Sequence, residues 1–462
     1  MTFKYLNKIS FKPNSSIREV LERFDETSIL TESSGFAVIL DEKNRCLGVV
    51  TDGDIRRKLT SDFSIDSKIV EALNKNFAFV SEKDNAHKIL RQFDKRVFNL
   101  PVLDEDGKLV DLYQYSNFVA SSRTEQRIIR ARVPVRVSYS GGGTDMSNFI
   151  NKSKAAVLSS TINKYCTASI IVREDEQIHI RSKDLNLGYE AASLGKLSFG
   201  DELDLLKAAI KIMQPNYGFD LETNAEFSPG TGLGGSSAVV SSVLGALNYF
   251  RNEQQLDIYE LSDLAYQVER IDMGIKGGWQ DQYATIFGGF SWIEFRKNEV
   301  VVNPLKLRRD TLLELEYNLM LFRLGGSRSS SEIQELYHED IEDNLHKHKL
   351  FEDMISLAYK MKDALLKGGV KAFGDLLDAS WSLKQKMNGR VSNPFVAECY
   401  KTAREIGALG GKLLGAGGCG YLLLYASPKF HRKIKEELEQ MGVQHEMFKF
   451  DQNGLEVWAT KK

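Results

Sequence analysis

The sequence predicts mixed helix and strand structure spread over two or three domains. Three observations carry that expectation. The chain has 462 residues, more than one ordinary hydrophobic core accommodates. Its opening part repeats a small unit of helices and strands. Its middle holds a glycine-rich loop, Ser228-Pro229-Gly230-Thr231-Gly232-Leu233-Gly234-Gly235-Ser236-Ser237-Ala238, which runs straight into the apolar stretch Val239-Val240-Ser241-Ser242-Val243-Leu244.

The repeat fills residues 1–122. Leu40-Asp41-Glu42 followed by Leu47-Gly48-Val49-Val50-Thr51 recurs 63 residues later as Leu103-Asp104-Glu105 followed by Val110-Asp111-Leu112-Tyr113-Gln114. Helical stretches at residues 16–24 and 85–93 lead the copies. Two apolar strands around the Asp-Glu turn and a second helix follow. One copy is too small to bury a good core, so the two are expected to pack as a pair. The turn Gly48-Val49-Val50-Thr51-Asp52-Gly53-Asp54-Ile55 resembles the CBS domain. That resemblance implies an α/β tandem pair in which Thr51 and Asp54 hold the ribose and phosphate of an adenine nucleotide, and it implies a homodimer through this region. A hydroxyl and a carboxylate at this spacing suit a ribose. The other reading of the two residues is a helix N-cap. In the second copy Gln114 and Asn117 stand at the matching positions and make a poorer site. Residues 123–127 read as a linker, and a new domain runs over 128–462.

Residues 128–137 alternate β-branched residues with arginine, a strand pattern, and lead into Ser140-Gly141-Gly142-Gly143-Thr144-Asp145. Residues 205–213 read as an amphipathic helix and 219–225 as a strand entering the central loop. Glycines there let backbone N–H groups approach a phosphate. The helix N-terminus behind adds partial positive charge. Ser236 and Ser237 sit where a hydroxyl can meet a phosphate or magnesium. No Gly-Lys-Ser/Thr closes the loop, which excludes a Walker A site. Residues 261–273 have helical period with Leu261, Leu264, Val268 and Ile271 on one face. Glu269 lies in the last turns, Gly274, Gly277 and Gly278 end the helix, and Asp281 follows. Gly325-Gly326-Ser327-Arg328-Ser329-Ser330-Ser331 is a polar loop after the strand 319–322, and an arginine among serines can grip a phosphate. Lys412-Leu413-Leu414-Gly415-Ala416-Gly417-Gly418-Cys419-Gly420 precedes a strand at 421–425. Cys419 reads there as a packing residue.

The three glycine-rich motifs, in this order, resemble those of the GHMP kinases, and Gly-Gly-Gly-Thr-Asp resembles the heptose 7-phosphate kinases among them. The Glu-His pair of galactokinases is replaced by Gly142-Gly143. The resemblance implies a two-lobed α+β fold with ATP and substrate in the cleft between lobes. It implies that Pro229, Gly230, Thr231, Gly232, Leu233, Gly234, Gly235, Ser236 and Ser237 bind ATP. Magnesium would sit on Glu269 and a loop hydroxyl, assigned to Ser236, with Ser237 left open because Gly235 replaces a serine of the close relatives. Asp281 would deprotonate the acceptor hydroxyl and Arg136 would support it. Gly142, Gly143, Thr144, Asp145, Gly417 and Gly418 would face the substrate, and Arg328 its phosphate. The implied reaction makes the 1,7-bisphosphate of D-glycero-D-manno-heptose at the anomeric hydroxyl, for nucleotide-activated heptose and surface polysaccharide. Two other readings stay open: a kinase of fucose or a hexose phosphate, and a degenerate kinase serving as a nucleotide- or sugar-binding regulator.

Composition narrows the setting. A formal net charge of −2 suggests no nucleic-acid partner. Cys46, Cys166, Cys399 and Cys419 are scattered, as expected of free thiols in a reducing compartment. No apolar run approaches the ~18 residues of a membrane span, so the cytoplasm is expected.

Overall fold

The computed structural model describes residues 6–27, 35–61, 63–84, 88–89, 91–93, 97–115, 128–297, 299–325, 345–415 and 417–460. The chain divides into two compact units, Met1–Gln126 and Arg127–Lys462.

In the first unit the repeat is visible strand by strand. β1 (Ser10–Phe11), β2 (Phe36–Leu40) and β3 (Cys46–Thr51) form one three-stranded sheet. β4 (Val80–Ser81), β5 (Asn99–Leu103) and β6 (Leu109–Gln114) form another. Each sheet has one parallel and one antiparallel pairing, and the ladder slips at equivalent points, Ile39/Leu40 and Val102/Leu103. The Asp-Glu turns match as well. Asp41 Oδ1 accepts from the N–H groups of Lys43 and Arg45, and Asp104 Oδ1 from those of Asp106 and Lys108. The copies share a core, as Leu112 is buried with Val38 and Val49. Of the helical stretch 85–93 only part is described. Asn117 and the linker 123–127 lie outside the described residues.

The second unit is built on β7 (Ile128–Ser140) and β8 (Ala155–Val172), paired antiparallel along most of their length. Its larger sheet adds β9 (Ile178–Ser182), β10 (Leu187–Ala191), β11 (Phe219–Ala225), β12 (Phe290–Arg296) and β13 (Glu299–Pro304), in the order β10-β9-β11-β8-β12-β13. Two late strands complete it: β18 (Phe450–Asp451) on β8 and β19 (Glu456–Thr460) on β7. A smaller sheet runs β15 (Ala408–Leu413), β16 (Gly420–Ala426), β14 (Leu319–Leu324), β17 (Gln444–Glu446). This is an α+β arrangement, as the sequence predicts.

β7 carries two cores. Ile129 and Ala131 pack with the helices Asp204–Met213 and Gly235–Asn248. Val133, Val135 and Val137 pack with Leu321, Leu377 and Leu423 from the smaller sheet and its helices. The helix Gly235–Asn248 is buried nearly all round, which is why its sequence is apolar without a polar stripe. The central and late glycine loops touch backbone to backbone. A Cβ on Gly232 would lie 2.5 Å from the Leu414 carbonyl oxygen, and one on Gly415 would lie 2.2 Å from Gly232 Cα. Both glycines also have positive φ, so this junction requires them.

Candidate active site

Arg136 is the hub of the cleft. Its place on β7 puts its backbone N–H on the Leu233 carbonyl at 2.9 Å. Its guanidinium Nη1 donates to the Gly232 carbonyl at 2.6 Å, and Nε and Nη2 both reach Oδ1 of Asp281 at 2.7 Å. One side chain thus ties strand, central loop and carboxylate together. The Arg136 side chain is 4% exposed, so this charge-assisted pair is held largely out of water. Asp281 is presented by the first turn of the helix Gln280–Phe287.

On one side of this pair lies a pocket lined by the central loop from Ser228 to Ser236, except Leu233, together with apolar Leu185, Leu203, Phe227 and Val239. Leu233 is core, fully buried. No side chain caps the helix Gly235–Asn248 at Gly234, so its first N–H groups are left for an anion. Gly235 has a local reason to replace a serine: a Cβ there would lie 2.4 Å from the Phe227 ring. On the other side lies a smaller pocket that includes Ser138, Gly142, Gly143, Asp145, Lys384 and Lys412. Arg136, Asp281 and Gly415 line both pockets.

Asp145 is almost fully buried. Its carboxylate accepts from Gly143 N–H at 2.9 Å and Gln280 N–H at 3.0 Å. Burial pushes its carboxyl above the usual range, against the Gln280 N–H bond, and the Asp281 charge adds to the rise. Thr144 does not line the pocket. Its hydroxyl donates to the Gly141 carbonyl at 2.7 Å and holds the turn. Gly417 borders the loop-side pocket, whereas Gly418 spends its N–H on the Val391 carbonyl at 2.9 Å. Arg328 lies outside the described residues.

Glu269 departs from the simple helical reading. The α-helix Ile258–Tyr266 continues as a π-helix, Gln267–Asp272. The wider turn shifts the register, so Ile271 is 67% exposed although a 3.6 period groups it with Leu264 and Val268. Glu269 is fully buried. Its Oε2 accepts from Ser237 Oγ at 2.5 Å and from the Gln282 side-chain amide. Ser237, not Ser236, is therefore the hydroxyl that meets Glu269; Ser236 faces the loop-side pocket. Glu269 Oε1 and Gln282 Oε1 are buried acceptors without a hydrogen-bond donor among the described residues. Such a cluster of hard oxygen acceptors suits a divalent cation.

Sequence reasoning missed Lys384 and Lys412 as charges. Lys384 donates to the Gly415 carbonyl, and Lys412 to the Tyr139 carbonyl at 2.9 Å. Burial, with the Arg136 charge beside it, lowers the Lys384 ammonium to about 8. Burial also lowers the Lys412 ammonium well below its ordinary value, helped by the Lys384 and Arg136 charges. Gln282 was missed too. It stands in a polar run, and only the fold turns it toward Glu269.

In the first unit Thr51 caps the helix Asp52–Leu59 in a reciprocal box. Asp54 Oδ2 accepts from Thr51 N–H at 2.9 Å, and Thr51 Oγ1 accepts from Asp54 N–H at 3.3 Å. Gln114, at the matching place of the second copy, is buried on β6.

Comparison with known proteins gives the family. The GHMP kinases N-terminal domain matches residues 204–289, the GHMP kinases C-terminal domain residues 361–443, and the CBS domain residues 6–61 and 69–112. The chain is 34% identical over 342 residues to a D-glycero-alpha-D-manno-heptose 7-phosphate kinase of Campylobacter jejuni, covering 72% of this chain and 99% of that one. It is 27% identical to a bifunctional fucokinase/GDP-fucose pyrophosphorylase of Arabidopsis thaliana, over 68% of this chain and 32% of that one. Among solved structures, a D-glycero-D-manno-heptose 1-phosphate kinase from Bacteroides thetaiotaomicron superposes with a TM-score of 0.60 at 28% identity, over 72% of this chain and 100% of that one. No helix among the described residues is long and apolar enough to cross a membrane. The chain belongs to the GHMP kinases: it is an ATP-dependent phosphotransferase with CBS domains in a separate unit.

Proposed function

We propose that the enzyme is a sugar kinase that phosphorylates the anomeric hydroxyl of D-glycero-D-manno-heptose 7-phosphate. The observation that carries the reading is the position of Arg136–Asp281, which lines both the loop-side pocket and the smaller pocket. A donor phosphate on the loop and an acceptor in the smaller pocket would meet at that pair. The identity to the C. jejuni kinase supports the choice of acceptor.

The central-loop backbone and the helix N-terminus hold the ATP phosphates, and the apolar walls at Leu185, Leu203 and Phe227 take the base. Glu269, Ser237 and Gln282 would hold magnesium, which would supply neutralisation of phosphate charge. Ser236 contacts phosphate oxygens from the loop. Asp145 and Gly142, which line the smaller pocket, orient the sugar. Asp281 takes the acceptor proton, and Arg136 holds the Asp281 carboxylate in place at 2.7 Å and offsets charge on the transferred group. Phosphoryl transfer needs mainly such positioning and neutralisation. An ADP-release assay over a panel of sugars and sugar phosphates tests this. Heptose 7-phosphate should be the preferred acceptor, and a preference for fucose or a free hexose would overturn the assignment.

The CBS unit we assign to regulation by an adenine nucleotide and to homodimer formation, in a cytoplasmic enzyme feeding surface polysaccharide synthesis. Thr51 and Asp54 supply one site, and Gln114 makes the second poor. Calorimetry should therefore find at most one AMP, ADP or ATP per CBS unit beyond the kinase site. That binding should disappear in Asp54→Ala, while unchanged binding would remove Asp54 from the site. Binding regulates only through different affinity for two states, so it must also shift turnover or KM.

A further inference from the structure

The smaller pocket holds more positive charge than its carboxylates answer. Arg136, Lys384 and Lys412 face Asp145 and Asp281, and Arg136 already occupies Asp281. Lys384 and Lys412 are 8% and 3% exposed. Each spends one of its three donors on a backbone carbonyl, and among the described residues neither forms an ion pair with a carboxylate. Ser138, 6% exposed, lines the same pocket with a hydroxyl that has no hydrogen-bond partner among the described residues. Buried ammonium groups held by carbonyls alone are costly, and the cost is recovered when an anion arrives.

We propose that Lys384, Lys412 and the Ser138 hydroxyl form a subsite for the phosphate that the acceptor sugar already carries. The subsite rests on the reading of the acceptor as a sugar phosphate. Lys384 reaches the pocket from the helix Val370–Met387 and Lys412 from β15. Two ammonium groups from different elements, with a hydroxyl from β7, can surround a dianion and leave the other end of the sugar for Asp281. The lysines then make the enzyme selective for sugar phosphates over free sugars. The depressed ammonium values of both lysines belong to the ligand-free pocket, and an anion would raise them.

The test compares kcat/KM for heptose 7-phosphate and for the unphosphorylated heptose in wild type, Lys384→Met and Lys412→Met. The preference for the phosphorylated acceptor should fall about 10- to 100-fold in each variant, the range for losing a charged hydrogen bond. Equal losses on both acceptors would place the lysines on the transferred phosphoryl group and overturn the subsite. Thermal melting supplies a readout without turnover. Inorganic phosphate should raise the melting temperature of wild type and not of the variants, and ligand-free Lys412→Met should melt no lower than wild type. An undiminished phosphate shift in both variants would also overturn the subsite. If wild type is inert on heptose 7-phosphate, the functional reading fails, and that is seen before any variant is made.

Discussion

Asp281→Asn should keep its fold and its ATP affinity and lose most of its turnover, by about 10²–10⁴, the usual contribution of a positioned base. The substitution keeps shape and removes only the charge and the proton acceptor. Arg136 would lose its charged partner but keep the carbonyl of Gly232, so the central loop stays anchored. The loss should appear in kcat for every acceptor and leave the KM for ATP near its original value. That pattern separates Asp281 from the acceptor-phosphate groups, whose loss shows as a change of preference between acceptors. Stopped-time ADP release with a titration of ATP measures both quantities. Turnover within a factor of a few of wild type would remove Asp281 from the role of base.

Much of this site is legible in the sequence because its parts are backbone devices. Gly232 and Gly415 are needed where two loops touch, and Gly234 is needed for positive φ at a helix start. Glycine at such points leaves a mark that spacing alone can find. The strand 219–225 reads correctly because period-two alternation is local, as is the repeat of β2–β3 in β5–β6. The charged residues leave no such mark. Lys384 shares its helix with exposed Lys371, and only packing decides which lysine points inward. Lys412 sits in the late glycine-rich motif, yet its ammonium meets the Tyr139 carbonyl of β7, far away in sequence. Ser236 and Ser237 are neighbours of one type, and the turn of the helix, not composition, sends Ser237 to Glu269. The π-helix is the clearest case. One extra residue per turn moves Ile271 outward and Glu269 into a closed interior, and no periodicity in the sequence announces it.

Glu269→Gln should sharply raise the magnesium requirement, by at least about 10-fold, because a charged ligand is replaced by a neutral one. The reason lies in what surrounds it. Glu269 is fully buried, its Oε1 has no donor among the described residues, and Gln282 Oε1 is in the same state. An ion-free protein therefore holds a carboxylate with incomplete compensation, and Arg270, at 3.8 Å, is its only ion-pair partner among the described residues. Sites that carry such unmet charge are kept for function at the expense of stability. Two opposite effects should follow from one substitution. Without magnesium the variant should melt no lower than wild type, since the buried charge is gone and Ser237 can still donate to the amide oxygen. With magnesium and ADP, wild type should gain thermal stability by mass action and the variant should gain much less. Magnesium titrations of turnover and melting curves with and without the ion read the two effects separately. A variant that loses stability equally in both conditions would make Glu269 a structural residue. An unchanged magnesium titration would move the ion elsewhere in the cleft.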